Sequence, residues 1–233
     1  MPDIECVVFD WYATLAAPHP DDFWTRLPEI IEEAGGEASQ DAIASWGEYS
    51  LDHGEHSSSE VDYVAWQRRR LRELFERCDV PPGEVEGLVE NVSEIRYSRR
   101  FTVFDDVPGV LEQLRTDGYR VGLCTNWDWD IECQLEHNAI AHLFDGVVCS
   151  AVVGYRKPHP AIFDVVVETM DVPPERILFV GDGLTADIEG ATGAGFNPVH
   201  IARFDPCPPD THDGVPCIRV LPQLCVERGS VGA

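Results

Sequence analysis

The stretch IECVVFDWYATL, residues 4–15, decides the fold. Its first half is a short, nearly continuous, β-branched apolar run, which reads as a strand buried on both faces, and Asp10 follows where the run stops. Four more runs repeat the pattern: YRVGLC (119–124), FDGVVC (144–149), RILFVG (176–181) and NPVHI (197–201). Helical spacings fill the intervals. Val110, Leu111 and Leu114 lie between Pro108 and Gly118; Ile131 pairs with Leu135; Ile162, Val166 and Val167 follow Pro160; Leu184, Ile188 and Ala191 precede Gly193. Strand alternating with helix predicts the α/β class, a doubly wound parallel sheet. After the proline-rich loop Asp205–Gly214, a last short strand is expected near Pro216 to Val220.

Residues 16–98 break the alternation. Four helical patterns run in a row there without a strand: Phe23, Leu27, Ile30 and Ile31; Ile43, Trp46 and Tyr49; Tyr63, Trp66, Leu71, Leu74, Phe75 and Cys78; and, past Pro81-Pro82-Gly83, Val85, Leu88, Val89, Val92 and Ile95. We therefore expect an α-helical domain over 16–98, inserted into an α/β core made of 1–15 and 99–233.

The 233 residues are 44% apolar and 25% charged, enough to bury a full core. Acidic residues outnumber basic ones 42 to 17, a formal charge of -25, so a nucleic-acid backbone would be repelled and no nucleic-acid partner is expected. No stretch is long and apolar enough for a membrane span, and no basic, hydrophobic leader precedes the first strand. The eight cysteines form no CxxC pair, and Cys6, Cys124 and Cys149 sit inside strand-like runs, which reads as reduced thiols and a cytoplasmic protein. A monomer and a homodimer both suit the sequence. Sixteen of the seventeen basic residues are arginine; Lys157 is the only lysine.

Polar groups collect just past the strand ends: Asp10, Tyr12 and Thr14 after the first, Thr125 and Asn126 after the second, Lys157 in GYRKPHP after the third, Asp182 and Asp187 in GDGLTAD after the fourth. Taken singly, an Asp here is a turn residue or helix cap and Thr-Asn a cap. Jointly they should converge, because ligands of an open parallel sheet bind at the carboxyl ends of its strands.

This ordered set resembles the haloacid dehalogenase-like hydrolase superfamily, whose motifs are a DxDxT loop, a Ser/Thr, a Lys and an acidic GDxxxxD. The resemblance spans essentially the whole chain. It implies that Asp10 is a nucleophile oriented by Thr14, and that Thr125 and Lys157 hold a phosphoryl group, with Asn126 beside them. It further implies that Mg²⁺ is held by Asp10, the Tyr12 carbonyl, Asp182 and Asp187, and that the helical insert is a mobile cap over a small-molecule site. The chemistry of the residues agrees. A carboxylate can attack phosphorus and split one difficult hydrolysis into two steps. Charge on the transferring group needs a cation, an ammonium and a hydroxyl around it.

Two branches of that superfamily compete. The second Asp of DxDxT, the general acid and base of the phosphatases, is Tyr12 here, and Asp-x-Tyr is what the 2-haloacid dehalogenases carry. Against this, those dehalogenases have Ser and Asn where this chain has Asp182 and Leu184, an Arg after a cap Trp where Gly47 follows Trp46, and a Tyr where Phe163 stands. Charge counting also matters, since two unit charges about 4 Å apart cost roughly 4 kcal/mol at an effective dielectric near 20, and the acids here call for a divalent ion. The balance favours a Mg²⁺-dependent phosphatase, with a dehalogenase, or a protein that has lost turnover and binds or regulates, as alternatives. A phenol is a poor general base at neutral pH, so the phosphatase reading predicts a burst followed by slow turnover. Ala13 stands where that family usually has Gly. Schiff-base chemistry through a cap lysine is ruled out, since 16–98 contain no lysine.

The insert carries a basic run, Arg68, Arg69, Arg70 and Arg72, and Arg96, Arg99 and Arg100 lie near the return to the core; these read as solvated charges. Trp11, Trp24, Trp127 and Trp129 read as core or pocket lining. His19, His53 and His56 lack metal-ligand spacing and read as surface.

Overall fold

A computed structural model describes residues 3–17, 23–47, 58–204, 214–224 and 226, the side chains of 23–25 and 47 excepted. His19, Tyr49, His53, His56 and the loop 205–213 fall outside these residues, as does the side chain of Trp24. The sheet has six parallel strands: β1 (Cys6–Phe9), β2 (Arg120–Thr125), β3 (Gly146–Cys149), β4 (Ile177–Gly181), β5 (Asn197–Ile201) and β6 (Cys217–Ile218). Their order is β3-β2-β1-β4-β5-β6, so the chain steps outward from β1 in both directions.

Period-two alternation sorts β1 onto two faces. Val7 and Phe9 pack with Leu111 and Leu114 of α5 (Val107–Thr116) and with Ile131 and Leu135 of α6 (Ile131–His137). Cys6 and Val8 pack on the opposite face with Ile162, Val166 and Met170 of α8 (Pro160–Met170) and with Ala191 of α9 (Gly190–Gly193). Helices on both faces of a parallel sheet are the doubly wound arrangement that the sequence predicts. A further short helix, α7 (Ser150–Val153), follows β3 directly.

Between β1 and α5 come α1 (Phe23–Glu33), α2 (Gln40–Gly47), α3 (Glu60–Arg77) and α4 (Val85–Ser98). Leu27, Ile31, Trp46, Leu71, Leu74, Phe75, Val89 and Val92 give these helices an apolar centre of their own. Tyr63 and Trp66, near the start of α3, instead join Trp11, Leu15 and Phe101 in the sheet's cluster, so α3 serves both. The entering and returning chains meet: Ala17 donates to the Thr102 carbonyl (2.9 Å) and Phe104 to that of Leu15 (3.0 Å).

The cysteine expectation needs one correction. Cys6, Cys78, Cys124, Cys133 and Cys149 are free thiols, but Cys217 is disulfide-bonded, to a partner outside the described residues. The physical reason is placement: Cys217 opens the edge strand β6 and is only half-buried, whereas Cys6, Cys124 and Cys149 are fully enclosed in β1, β2 and β3. No helix among the described residues is long and apolar enough to cross a membrane.

Candidate active site at the strand ends

Strand order reverses between β1 and β4, the place where a doubly wound sheet opens a crevice. Asp10 follows the first of these strands and Asp182 the second, and the Asp10 amide donates to the Val180 carbonyl (2.9 Å), tying the two ends together. The loop after Asp10 then doubles back. The Trp11 carbonyl accepts from the amides of both Leu15 (2.9 Å) and Ala16 (2.8 Å), and Ala13 sits in the left-handed region at φ 57°. Glycine enters that region freely, whereas a Cβ costs about 1–2 kcal/mol, which explains why glycine is the residue expected there. Turned back in this way, the buried Thr14 directs Oγ1 to Asp182 Oδ1 (3.4 Å).

Lys157 extends from the loop after α7, and its side chain is 1% exposed. Its ammonium donates to Asp10 Oδ1 (2.7 Å), Asp187 Oδ1 (2.6 Å) and the Cys124 carbonyl (2.8 Å), which uses all three protons. Burial alone would lower its pKa, but the Asp10 and Asp187 carboxylates override that and hold it above the ordinary lysine value. Asn126 aims this lysine. Its Oδ1 accepts from the Lys157 amide (2.8 Å) and its Nδ2 donates to the Lys157 carbonyl (3.0 Å). The amide expected to face substrate is therefore occupied by the backbone of Lys157, because a loop with no strand partner draws its hydrogen bonds from a side chain.

The turn Leu184–Glu189 winds wider than an α-helix, with both the Asp187 and Ile188 amides donating to the Gly183 carbonyl. It swings Asp187 back so that Oδ2 accepts from the Gly183 amide (2.8 Å). A Cβ on Gly181 would lie 2.4 Å from the Asp187 Cγ, so only glycine leaves room for this carboxylate.

Asp10, Asp182 and Asp187 each offer an oxygen within 4.8 Å of the other two. The Asp182 carboxyl is pushed up to about 7 by burial and then by the charges of Asp10 and Asp187, against the pull of Lys157. One ammonium does not compensate three neighbouring acids. A set of hard oxygen donors with surplus negative charge fits a small divalent cation such as Mg²⁺. Thr125 is buried at the end of β2, in register with Cys149 of β3. Tyr12 is partly exposed; its ring stacks on Trp127 (6.5 Å) and meets Phe101 edge-on (6.1 Å).

A family profile described as a hydrolase, haloacid dehalogenase-like hydrolase, matches residues 4–195. The chain belongs to the haloacid dehalogenase-like hydrolases. It is similar to a glyceraldehyde 3-phosphate phosphatase of Methanopyrus kandleri, 36% identical over 208 residues that cover 84% of this chain and 88% of that one. Among solved structures it shares its fold with a phosphatase of the same superfamily from Thermococcus onnurineus (TM-score 0.61, 23% identity, 94% and 95% of the two chains). It shares it equally with a 2-haloacid dehalogenase from Pseudomonas syringae pv. tomato (TM-score 0.64, 24% identity, 94% and 96%).

Several contacts of this haloacid dehalogenase-like hydrolase escaped the sequence. Arg68 and Arg72 do make exposed ion pairs, with Glu90 and Glu86. Arg70 does not point to solvent; it packs between Trp46 and Trp66 and donates to the Trp46 carbonyl. Arg96 pairs with Asp128 in the loop after β2 (2.7 Å), where Tyr63 (2.7 Å) and Gln67 (3.2 Å) also donate. Such pairings join residues far apart in sequence, so helical periodicity shows only that these positions are amphipathic. Trp11 is fully buried, a core residue.

Proposed function

We propose that this hydrolase is a Mg²⁺-dependent phosphatase of small organic phosphomonoesters that acts through an aspartyl phosphate on Asp10. The observation that carries the reading is the crowding of Asp10, Asp182 and Asp187 around one ammonium, with Asp182 raised to about 7. A bare-carboxylate dehalogenase needs no such acidic surplus. The likeness to a relative named for phosphatase activity supports the same reading.

In this reading Asp10 and Asp182 hold Mg²⁺ together with the Tyr12 carbonyl, and Asp187, whose two oxygens accept from Lys157 and Gly183, supports them. The ion, when bound, neutralises the acids and the incoming phosphate. An Asp10 oxygen attacks phosphorus while the bond to the ester oxygen breaks, and that oxygen leaves with a proton drawn from water or from the Tyr12 phenol. Thr125 faces the transferring oxygens, and Lys157, held between Asp10 and Asp187, sets its positive charge beside them. Water then attacks the acyl phosphate, releasing inorganic phosphate and restoring the carboxylate. Residues 16–98 act as the cap, docked through α3 and α4, and exclude water during transfer.

The test is an assay of p-nitrophenyl phosphate and of 2-chloropropionate, each with and without Mg²⁺, beside Asp10→Asn. Mg²⁺-dependent phosphate release that the substitution abolishes supports the proposal. Metal-independent chloride release would instead support the dehalogenase reading, which the Asp10-x-Tyr12 pair favours. A folded, metal-binding protein inert towards both would be a binding or regulatory one.

A further inference from the structure

Arg203 stands two residues beyond β5, at the same end of the sheet as Asp10, Thr125, Lys157 and Asp182. Its side chain is 5% exposed, and the guanidinium is held on several sides. Nε donates to the Thr14 carbonyl (2.7 Å). Nη1 donates to Asp106 Oδ2 (3.1 Å), and Nη2 lies 3.1 Å from Oδ1 as an ion-pair contact. The guanidinium Cζ lies 3.9 Å from the centre of the Phe104 ring. Asp106 also accepts from the Leu221 amide (2.8 Å), and the Phe104 amide donates to the Leu15 carbonyl (3.0 Å).

Backbone accounting shows why this matters. Inside the loop after Asp10 the Trp11 carbonyl accepts twice and the Ala16 carbonyl once, whereas the partner of the Thr14 carbonyl is Arg203. Thr14 is fully buried, so that carbonyl has to be satisfied by protein. The same residue turns Oγ1 toward Asp182. We infer that Arg203, held by Asp106 and Phe104, is a positioning residue that fixes the Thr14 peptide and, through it, the pose of Asp10 against Asp182. The inference rests on the phosphatase reading for its catalytic consequence but not for its structural one. Lysine at this place can reach the carbonyl or the carboxylate, but it lacks the planar fork that serves both at once.

Arg203→Lys, in the full chain with Mg²⁺, tests this. Hydrogen exchange at the amides of Ala13, Leu15 and Ala16 should quicken about tenfold while those of β2 and β4 keep their rates. With p-nitrophenyl phosphate, kcat per folded molecule should fall about tenfold or more with KM within about twofold, since a small misplacement of reacting groups costs that much. Unchanged loop exchange, or quickened exchange with unchanged kcat, overturns the inference, as does a lowered melting temperature with both readouts intact. Should Arg203→Lys fail to fold, Asp106→Asn replaces it with the same criteria. A wild type that hydrolyses no phosphate ester refutes the phosphatase reading, and loop exchange then decides the positioning role alone.

Discussion

The Lys157 ammonium lies 2.7 Å from the Asp10 carboxylate, although 147 residues separate the two in sequence. Both are buried, and Asp187 makes a second pair at 2.6 Å. A buried charge left without its partner costs far more than the pair is worth. Lys157→Met strands two carboxylates and should lower unfolding free energy by about 3–5 kcal/mol in urea titrations at neutral pH. Phosphate release should fall about 10²–10³-fold even where the variant is fully folded. A stable, active methionine variant would remove Lys157 from the site.

The acidic cluster makes the apoprotein pH-sensitive in a defined direction. Asp182 gives up its proton near 3.8 when unfolded but near 7 when folded, because burial and then Asp10 and Asp187 disfavour its charge. Asp187 is shifted the same way, chiefly by burial. Between those two values the native state binds more protons than the unfolded one, so stability falls as pH rises from about 4 to about 7. In chelator, the melting temperature of the wild type relative to Asp182→Asn should decline across that window. Millimolar Mg²⁺ should flatten the decline, since a bound cation favours the ionised carboxylates. A relative melting temperature that rises with pH in chelator would contradict the uncompensated cluster.

Arg96 and Asp128 join α4 to the loop that follows Thr125 and Asn126. Asp128 also accepts from Tyr63 and Gln67, so one carboxylate gathers three donors from two helices of the insert. Arg96→Met and Asp128→Asn should each cost about 1–3 kcal/mol, and the double variant less than their sum, with a coupling of about 0.5–3 kcal/mol. Double-mutant unfolding cycles measure this. Additive losses would mean that the contact does not hold the helices to the sheet.

Sequence alone revealed the sheet and four strand-end groups because both follow local rules. A β-branched run marks a buried strand, and polar residues just beyond it fall at one edge. Asp10, Lys157, Asp182 and Asp187 duly converge. The supporting contacts obey no local rule. Arg203 resembles any surface arginine until Asp106, 97 residues earlier, is brought beneath it. Asn126 reads as a cap or a ligand, and only the path of the Lys157 loop decides that its amide is spent on backbone. The position of Arg203 two residues after NPVHI was the available signal, since the four preceding strands each carry a functional candidate at that end.

Tyr12 sets the last prediction. Its ring rests on Trp127 and Phe101, near Asp10 yet partly open to solvent, where the superfamily's phosphatases place a carboxylate. A neutral phenol can give a proton to a leaving alkoxide but takes one poorly from the water that attacks an acyl phosphate. Phosphorylation of Asp10 should therefore outpace its hydrolysis. Quenched-flow assays of the wild type should show a burst approaching one equivalent of alcohol, with a phosphoenzyme that survives acid quenching. Tyr12→Asp supplies the base and should raise steady-state turnover by about tenfold or more while shrinking the burst, general-base assistance being worth about 10²–10⁴ in rate. If the wild type turns over linearly with no trapped intermediate, water is being activated by some group other than residue 12, and the Tyr12 ring then serves only to wall the site.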